Sequence, residues 1–73
     1  SPTQGAVKTP LPGVILQVKC NVGDTVKRGQ TLIILEAMKM EIPVVAPQAG
    51  TVASIEVGVG DAVENGQLLA TMN

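Results

Sequence analysis

The sequence predicts an all-β domain, a small closed barrel assembled from two copies of one strand motif. Three observations lead to that reading. The 73-residue chain matches itself without a gap at a shift of 37 positions: Pro10 falls on Pro47, Gly13 on Gly50, Val22-Gly23-Asp24 on Val59-Gly60-Asp61, Gly29-Gln30 on Gly66-Gln67 and Leu32 on Leu69. Within each copy the apolar residues advance in steps of two, the period of a half-buried strand. The composition is rich in Val, Ile, Leu and Gly and contains no Phe, Tyr or Trp, which suits a thin β core.

Taken in order, Ser1 to Gly5 is a polar stretch with a proline and a glycine, and is expected to be a frayed tail or linker remnant outside a domain of residues 6–73. Strands are expected at Ala6–Thr9, Val14–Cys20, Thr31–Ala37, Met40–Val45, Thr51–Val57 and Gln67–Met72, within two repeats of about 6–36 and 43–73. The positions apolar in both copies are Ile15/Val52, Val18/Ile55, Cys20/Val57, Val22/Val59, Val26/Val63, Leu32/Leu69, Ile33/Ala70 and Leu35/Met72; these pairs are the expected core. From Ile15 to Val18, and again from Val52 to Ile55, the step is three. A break in period that recurs at the same place is the mark of a β-bulge, which bends a strand around a small barrel.

Asn21-Val22-Gly23-Asp24 and Gly58-Val59-Gly60-Asp61 read as matched turns, with glycines free to take positive φ and aspartates able to accept from nearby backbone N–H groups. Lys27-Arg28-Gly29-Gln30 and Glu64-Asn65-Gly66-Gln67 are a second matched pair. Asp24 and Asp61 therefore belong to turn chemistry and not to a catalytic carboxylate pair. Cys20 aligns with Val57 and reads as a small core residue. Lys8, Lys19, Lys27 and Arg28 are scattered and read as solvated charges.

The copies are joined by a 37–42 hairpin, centred on the stretch Glu36-Ala37-Met38-Lys39-Met40-Glu41 between two apolar runs. Two such runs joined by a short segment predict a hairpin with Met38-Lys39 at its tip. Tight hairpin tips need positive φ at both central residues and favour Asn-Gly or Asp-Gly, so Met-Lys is a poor local choice. With Met38 and Lys39 as a two-residue tip, Ala37 faces Met40 and Glu36 faces Glu41. Sequence that contradicts its own local geometry marks a functional site.

Composition narrows what that site does. Net charge is −1 and no aromatic side chain is present to stack on bases, which argues against nucleic acid. No apolar run approaches the roughly 20 residues that span a bilayer. There is no histidine and one cysteine, which argues against zinc as a staple and leaves no internal disulfide available. The unpaired cysteine and the lack of a visible signal segment predict a reducing compartment, the cytoplasm or a mitochondrial matrix. No serine–base pair or phosphate loop accompanies Lys39, so the chemistry is expected to occur on other proteins. The long mobile stem of Lys39 and an amine that is nucleophilic once deprotonated suit a carrier.

Ala37-Met38-Lys39-Met40, preceded by Glu36, resembles the attachment motif of biotinyl domains, the carboxyl carrier modules of biotin-dependent carboxylases, transcarboxylases and decarboxylases. The gapless duplication is similar to the biotinyl/lipoyl fold along essentially the whole chain from about Val7. The resemblance implies a flattened β-barrel (barrel-sandwich hybrid) of two four-stranded sheets with quasi-twofold symmetry. It implies a modified lysine on an exposed hairpin at one end and neighbouring termini at the other. With no insertion in the first half, the chain resembles the thumbless type. By the same resemblance, Lys39 receives covalent biotin from a biotin protein ligase through an activated biotinyl-adenylate. Ala37, Met38 and Met40 are the flanking recognition motif, and the domain serves biotin carboxylase and carboxyltransferase or decarboxylase components without catalysing a step itself. Met38 and Met40 are read as a soft, adaptable surface for those enzymes. A lipoyl carrier of a 2-oxo acid dehydrogenase complex shares the fold, but its lysine usually lies between aspartate and alanine, where this chain has Met38 and Met40. A purely structural lipoyl-like module, as in a membrane efflux adaptor, gives no reason for the Ala-Met-Lys-Met tip.

Overall fold

The computed structural model describes residues 5–73. Eight strands follow one another: β1 Gly5–Lys8, β2 Gly13–Val18, β3 Thr25–Val26, β4 Thr31–Ala37, β5 Met40–Val45, β6 Gly50–Ile55, β7 Ala62–Val63 and β8 Leu68–Met72. They form two antiparallel four-stranded sheets, ordered β1-β8-β6-β3 and β5-β4-β2-β7. These are the expected two sheets of a flattened barrel. The expected spans of β4 and β5 agree at both ends. β1 begins one residue earlier than expected, at Gly5, while Ser1 to Gln4 of the expected tail lie outside the described residues.

The quasi-twofold symmetry is visible bond by bond. Leu16 is the extra residue between Ile15, which faces Leu35, and Gln17, which faces Ile34; 37 positions on, Ala53 is the extra residue between Val52 and Ser54. These are the bulges that the three-residue steps predicted. A second matched pair lies at Leu32 and Leu69, where β4 and β8 each carry one residue more than their partner. That extra residue is why Leu32-Ile33 and Leu69-Ala70 bury two neighbours in succession, which an unbroken alternation forbids.

β3 and β7 were not expected as strands, and each crosses to the other copy. β3, from the first repeat, pairs with β6, and β7, from the second, pairs with β2. The turns before them are stitched across in the same way. Gly23 N–H donates to Val52 O and Val52 N–H to Asp24 O, at 2.8 and 2.9 Å; Gly60 N–H donates to Ile15 O and Ile15 N–H to Asp61 O at the same distances. Each aspartate holds its turn by accepting at Oδ2 from Asn21 N–H or Gly58 N–H, both at 2.8 Å. Gln30 and Gln67 do the same for the later turns, accepting at Oε1 from Lys27 N–H and Glu64 N–H.

Between the sheets lie Ile15, Leu32, Ile33, Leu35, Val52, Leu69 and Met72, all named by the repeat, together with Val7, Ala37, Val44 and Ala46, which lie outside its expected pairs. Each fully buried aliphatic side chain contributes about 1.5–3 kcal/mol. Val18, Ile55 and Val57 are half-buried and pack against this core, and Cys20 is buried. The pair Val22/Val59 corrects the expectation: both are exposed, at 62% and 68%. The period-two count ran past the ends of β2 and β6 into the turns. There Gly23 and Gly60, at φ 94° and 92°, reverse the chain and leave the preceding valine pointing outward.

Candidate functional site

β4 and β5 are joined by Met38 and Lys39 alone. The ladder runs Leu35 to Ile42, Glu36 to Glu41 and Ala37 to Met40, so the hairpin closes in two residues and has the register read from the sequence. Met38 has φ 55° and Lys39 φ 63°; among the described residues they are the only non-glycines with positive φ. Both lie in the left-handed region that a type I′ turn requires, and their Cβ atoms make that conformation unfavourable. β4 and β5 are long, paired without a break from Ile33 to Ala37 and anchored by buried Leu35, Ala37 and Val44, and this pairing imposes the turn against local preference.

The turn lifts three side chains clear of the barrel. Met38 is 76% exposed, Met40 55%, and Lys39 is exposed as well. Ala37 differs from its neighbours: it is buried at the root of the hairpin and fixes the tip to the core. Gly13 of β2 lies directly beneath, where a Cβ would collide with Glu36 O and stand 3.2 Å from the Ala37 methyl. The sequence showed Gly13 as a repeated glycine but did not show that it lets β2 approach the root of the tip. Glu36 and Glu41 face each other across the hairpin, both exposed and neither in an ion pair among the described residues. Such facing carboxylates repel by some tenths of a kcal/mol.

The remaining candidates lie elsewhere. Asp24 and Asp61 hold turns in opposite copies, as described. Burial pushes the Cys20 thiol above its ordinary pKa, with nearby Asp24 adding to the shift, so it is a poor nucleophile near neutrality. An open groove of about 430 Å³ between β1 and β5 is lined by Ala6, Val7, Lys8, Val44, Val45 and Pro47. It offers an apolar cleft with one ammonium group and does not include Lys39. An exposed primary amine on a long stem fits covalent attachment of a group and not its enclosure.

The family model described as biotin-requiring enzyme, the biotin/lipoyl family, matches residues 5–72. The chain belongs to this family. Among relatives within it, 41 residues are 56% identical to the gamma subunit of methylmalonyl-CoA decarboxylase of Veillonella parvula, covering 56% of this chain and 32% of that protein. A further 37-residue match is 65% identical to the biotin carboxyl carrier protein of Streptococcus mutans, covering 51% of this chain and 28% of that one. The chain thus spans less than a third of the length of these curated relatives. The urea carboxylase of Kluyveromyces lactis contains the same fold: the superposition covers 100% of this chain and 6% of the carboxylase, with a TM-score of 0.94 at 34% identity.

Proposed function

We propose that this chain is a biotin carboxyl carrier domain that holds biotin in amide linkage to Lys39 and shuttles a carboxyl group between the active sites of a larger biotin-dependent enzyme. The observation that supports it most directly is the Met38-Lys39 tip. A biotin/lipoyl family barrel forces its central lysine into an exposed left-handed turn, between two exposed methionines, at a cost in stability that an ordinary surface lysine would not incur. Each neighbour has a part. Ala37 seats the hairpin, Gly13 admits the close approach of β2, and Met38 and Met40 present polarizable, adaptable side chains to whatever enzyme closes over the lysine.

During attachment Lys39 Nζ, in its neutral form, attacks the activated carboxyl carbon of biotin. The C–N amide bond forms, the acyl–phosphate bond breaks with release of AMP, and the amine proton passes to solvent or to a base of the ligase. Bound biotin supplies a ureido nitrogen that accepts and releases a carboxyl group. The domain itself is non-catalytic: its residues hold the arm at the end of the barrel, and biotin carboxylase and carboxyltransferase or decarboxylase components perform the reactions.

Incubation with biotin protein ligase, ATP and biotin is expected to add one biotin mass, mapped to the peptide that contains Lys39, and Lys39→Arg to abolish it. Modification that persists in Lys39→Arg refutes the assignment. Met38→Asp with Met40→Ala is expected to keep the fold and lose most of the biotinylation rate; an undiminished rate would deny the methionines their part.

A further inference from the structure

Sulfur is what a mild oxidant attacks most readily in this chain. There is no Trp, Tyr or His to compete, and the sulfur-bearing residues are Cys20, Met38, Met40 and Met72. The fold divides them sharply. Cys20 is buried, and Met72 is fully enclosed in the core between the sheets. Their counterparts in the other copy are Val57 and Leu35, so both fill places where a plain aliphatic side chain serves equally. Met38 and Met40 stand in the open at 76% and 55%, on either side of Lys39.

We propose that Met38 and Met40 form a peroxide-reactive modification site, whose conversion to sulfoxide withholds Lys39 from the biotin-attaching enzyme without unfolding the barrel. This rests on the carrier reading and adds to it a reversible chemical control of the tip. The reagent is a neutral hydroperoxide, of which hydrogen peroxide is the simplest. A lone pair of the thioether sulfur attacks one peroxide oxygen; the S–O bond forms and the O–O bond breaks. The departing hydroxide takes the remaining proton and leaves as water. Sulfur is oxidised by two electrons and the peroxide is reduced by two. A dithiol reverses the step: the sulfoxide oxygen leaves as water and the two thiols close to a disulfide.

Geometry ties this chemistry to the lysine and keeps it away from the core. Met38 shares the two-residue turn with Lys39, and Met40 is the first residue of β5, paired with buried Ala37. The ladder there is made by backbone groups, so an oxidised thioether leaves it in place. What changes is the surface. A soft apolar group becomes a polar, hydrated one, and an enzyme that closes over Lys39 must strip that water away. The facing carboxylates of Glu36 and Glu41 border the tip and favour a neutral oxidant over an anionic one. Oxidation at Met72 would act differently, since a sulfoxide there would place an unpaired polar group in the core.

Hydrogen peroxide and the masses of two peptides make the first half of the test. Cleavage after glutamate yields residues 37–41, which hold both tip methionines, and residues 65–73, which hold Met72. In the folded protein the first peptide is expected to gain oxygen at least about tenfold faster than the second. In urea the two are expected to react alike, and circular dichroism of the treated native protein should be unchanged. With biotin protein ligase, ATP and biotin, the oxidised protein is expected to react about tenfold more slowly than its own untreated sample. Methionine sulfoxide reductase with dithiothreitol should restore the rate. Met38→Leu with Met40→Leu, compared with its own untreated sample, should lose nothing on treatment. Oxidation of Met72 as fast as the tip overturns the proposal, as does an undiminished rate in protein whose 37–41 peptide is fully oxidised. So does a loss that persists in the leucine variant or that the reductase does not reverse. A chain that accepts no biotin before treatment refutes the carrier reading instead, and the peptide masses then still decide whether the tip is the reactive site.

Discussion

If the hairpin tip is strained because it carries Met and Lys where a type I′ turn favours Asn-Gly, then supplying Asn-Gly should stabilise the domain. A left-handed residue with a Cβ costs about 1 kcal/mol or somewhat more. Asparagine tolerates that region better, and glycine removes the penalty while adding about 0.5–1 kcal/mol of unfolded-state entropy. Met38 is 76% exposed and Lys39 is exposed, so little packing is lost with either side chain. The net expectation for Met38→Asn with Lys39→Gly is a gain of about 1–1.5 kcal/mol. A chain of this size has an m-value of about 1 kcal/mol per M urea, which puts the shift of the midpoint at about 1–1.5 M upward. Far-UV circular dichroism is the natural probe, because there is no aromatic residue to report by fluorescence. The same variant would accept no biotin. An unchanged or lowered urea midpoint would show that the turn is not a site of conflict, and the physical reason for singling out Met38-Lys39 would be lost.

Three other comparisons probe different parts of the structure. Gly13→Ala, whose Cβ would collide with Glu36 O, is expected to cost about 3 kcal/mol, whereas Gly58→Ala, with nothing nearer than Asp61 Oδ2 at 4.0 Å, should stay within about 0.5 kcal/mol; thermal melts compare the two. Leu32→Ala should cost about 2–5 kcal/mol and Val22→Ser less than about 0.5 kcal/mol, and matching urea midpoints would contradict the burial of the one and the exposure of the other. Cys20 should react with a disulfide reagent at pH 8 far more slowly in the native protein than in urea. Its raised pKa means that the native state holds the thiol proton more tightly than the unfolded chain does, so stability from this group is complete near neutrality and declines as pH climbs above the ordinary thiol range.

Much of the barrel could be read from residues because duplication repeats its own signals. The step of three at Ile15–Val18 would mean little once; repeated at Val52–Ile55 it located two bulges that the ladders contain. The tip was legible as a contradiction between Met38-Lys39 and the turn it occupies. Thr25–Val26 and Ala62–Val63 escaped notice because two residues carry no period, and their pairing depends on strands from the other copy. Val22 and Val59 were misassigned because alternation has no local marker for where a strand gives way to a turn. The close contact of Gly13 with the hairpin root depends on knowing which strands adjoin.

The two halves exchange both of their outer strands, β1 and β3 against β5 and β7, and this changes what counts as a unit. Neither half of the chain has a complete sheet of its own: the first lends β1 and β3 to the sheet of β6 and β8, and the second lends β5 and β7 to the sheet of β2 and β4. In assembly terms these are two protomers of an edge-swapped dimer, fused into one polypeptide by Met38-Lys39. A nick at that connector would remove no strand pairing. It would turn a fold that is independent of concentration into a bimolecular complex, held only as tightly as two free halves find each other in solution. The exposed Lys39 amine is therefore mounted on the connector, where its excursions disturb no ladder in either protomer.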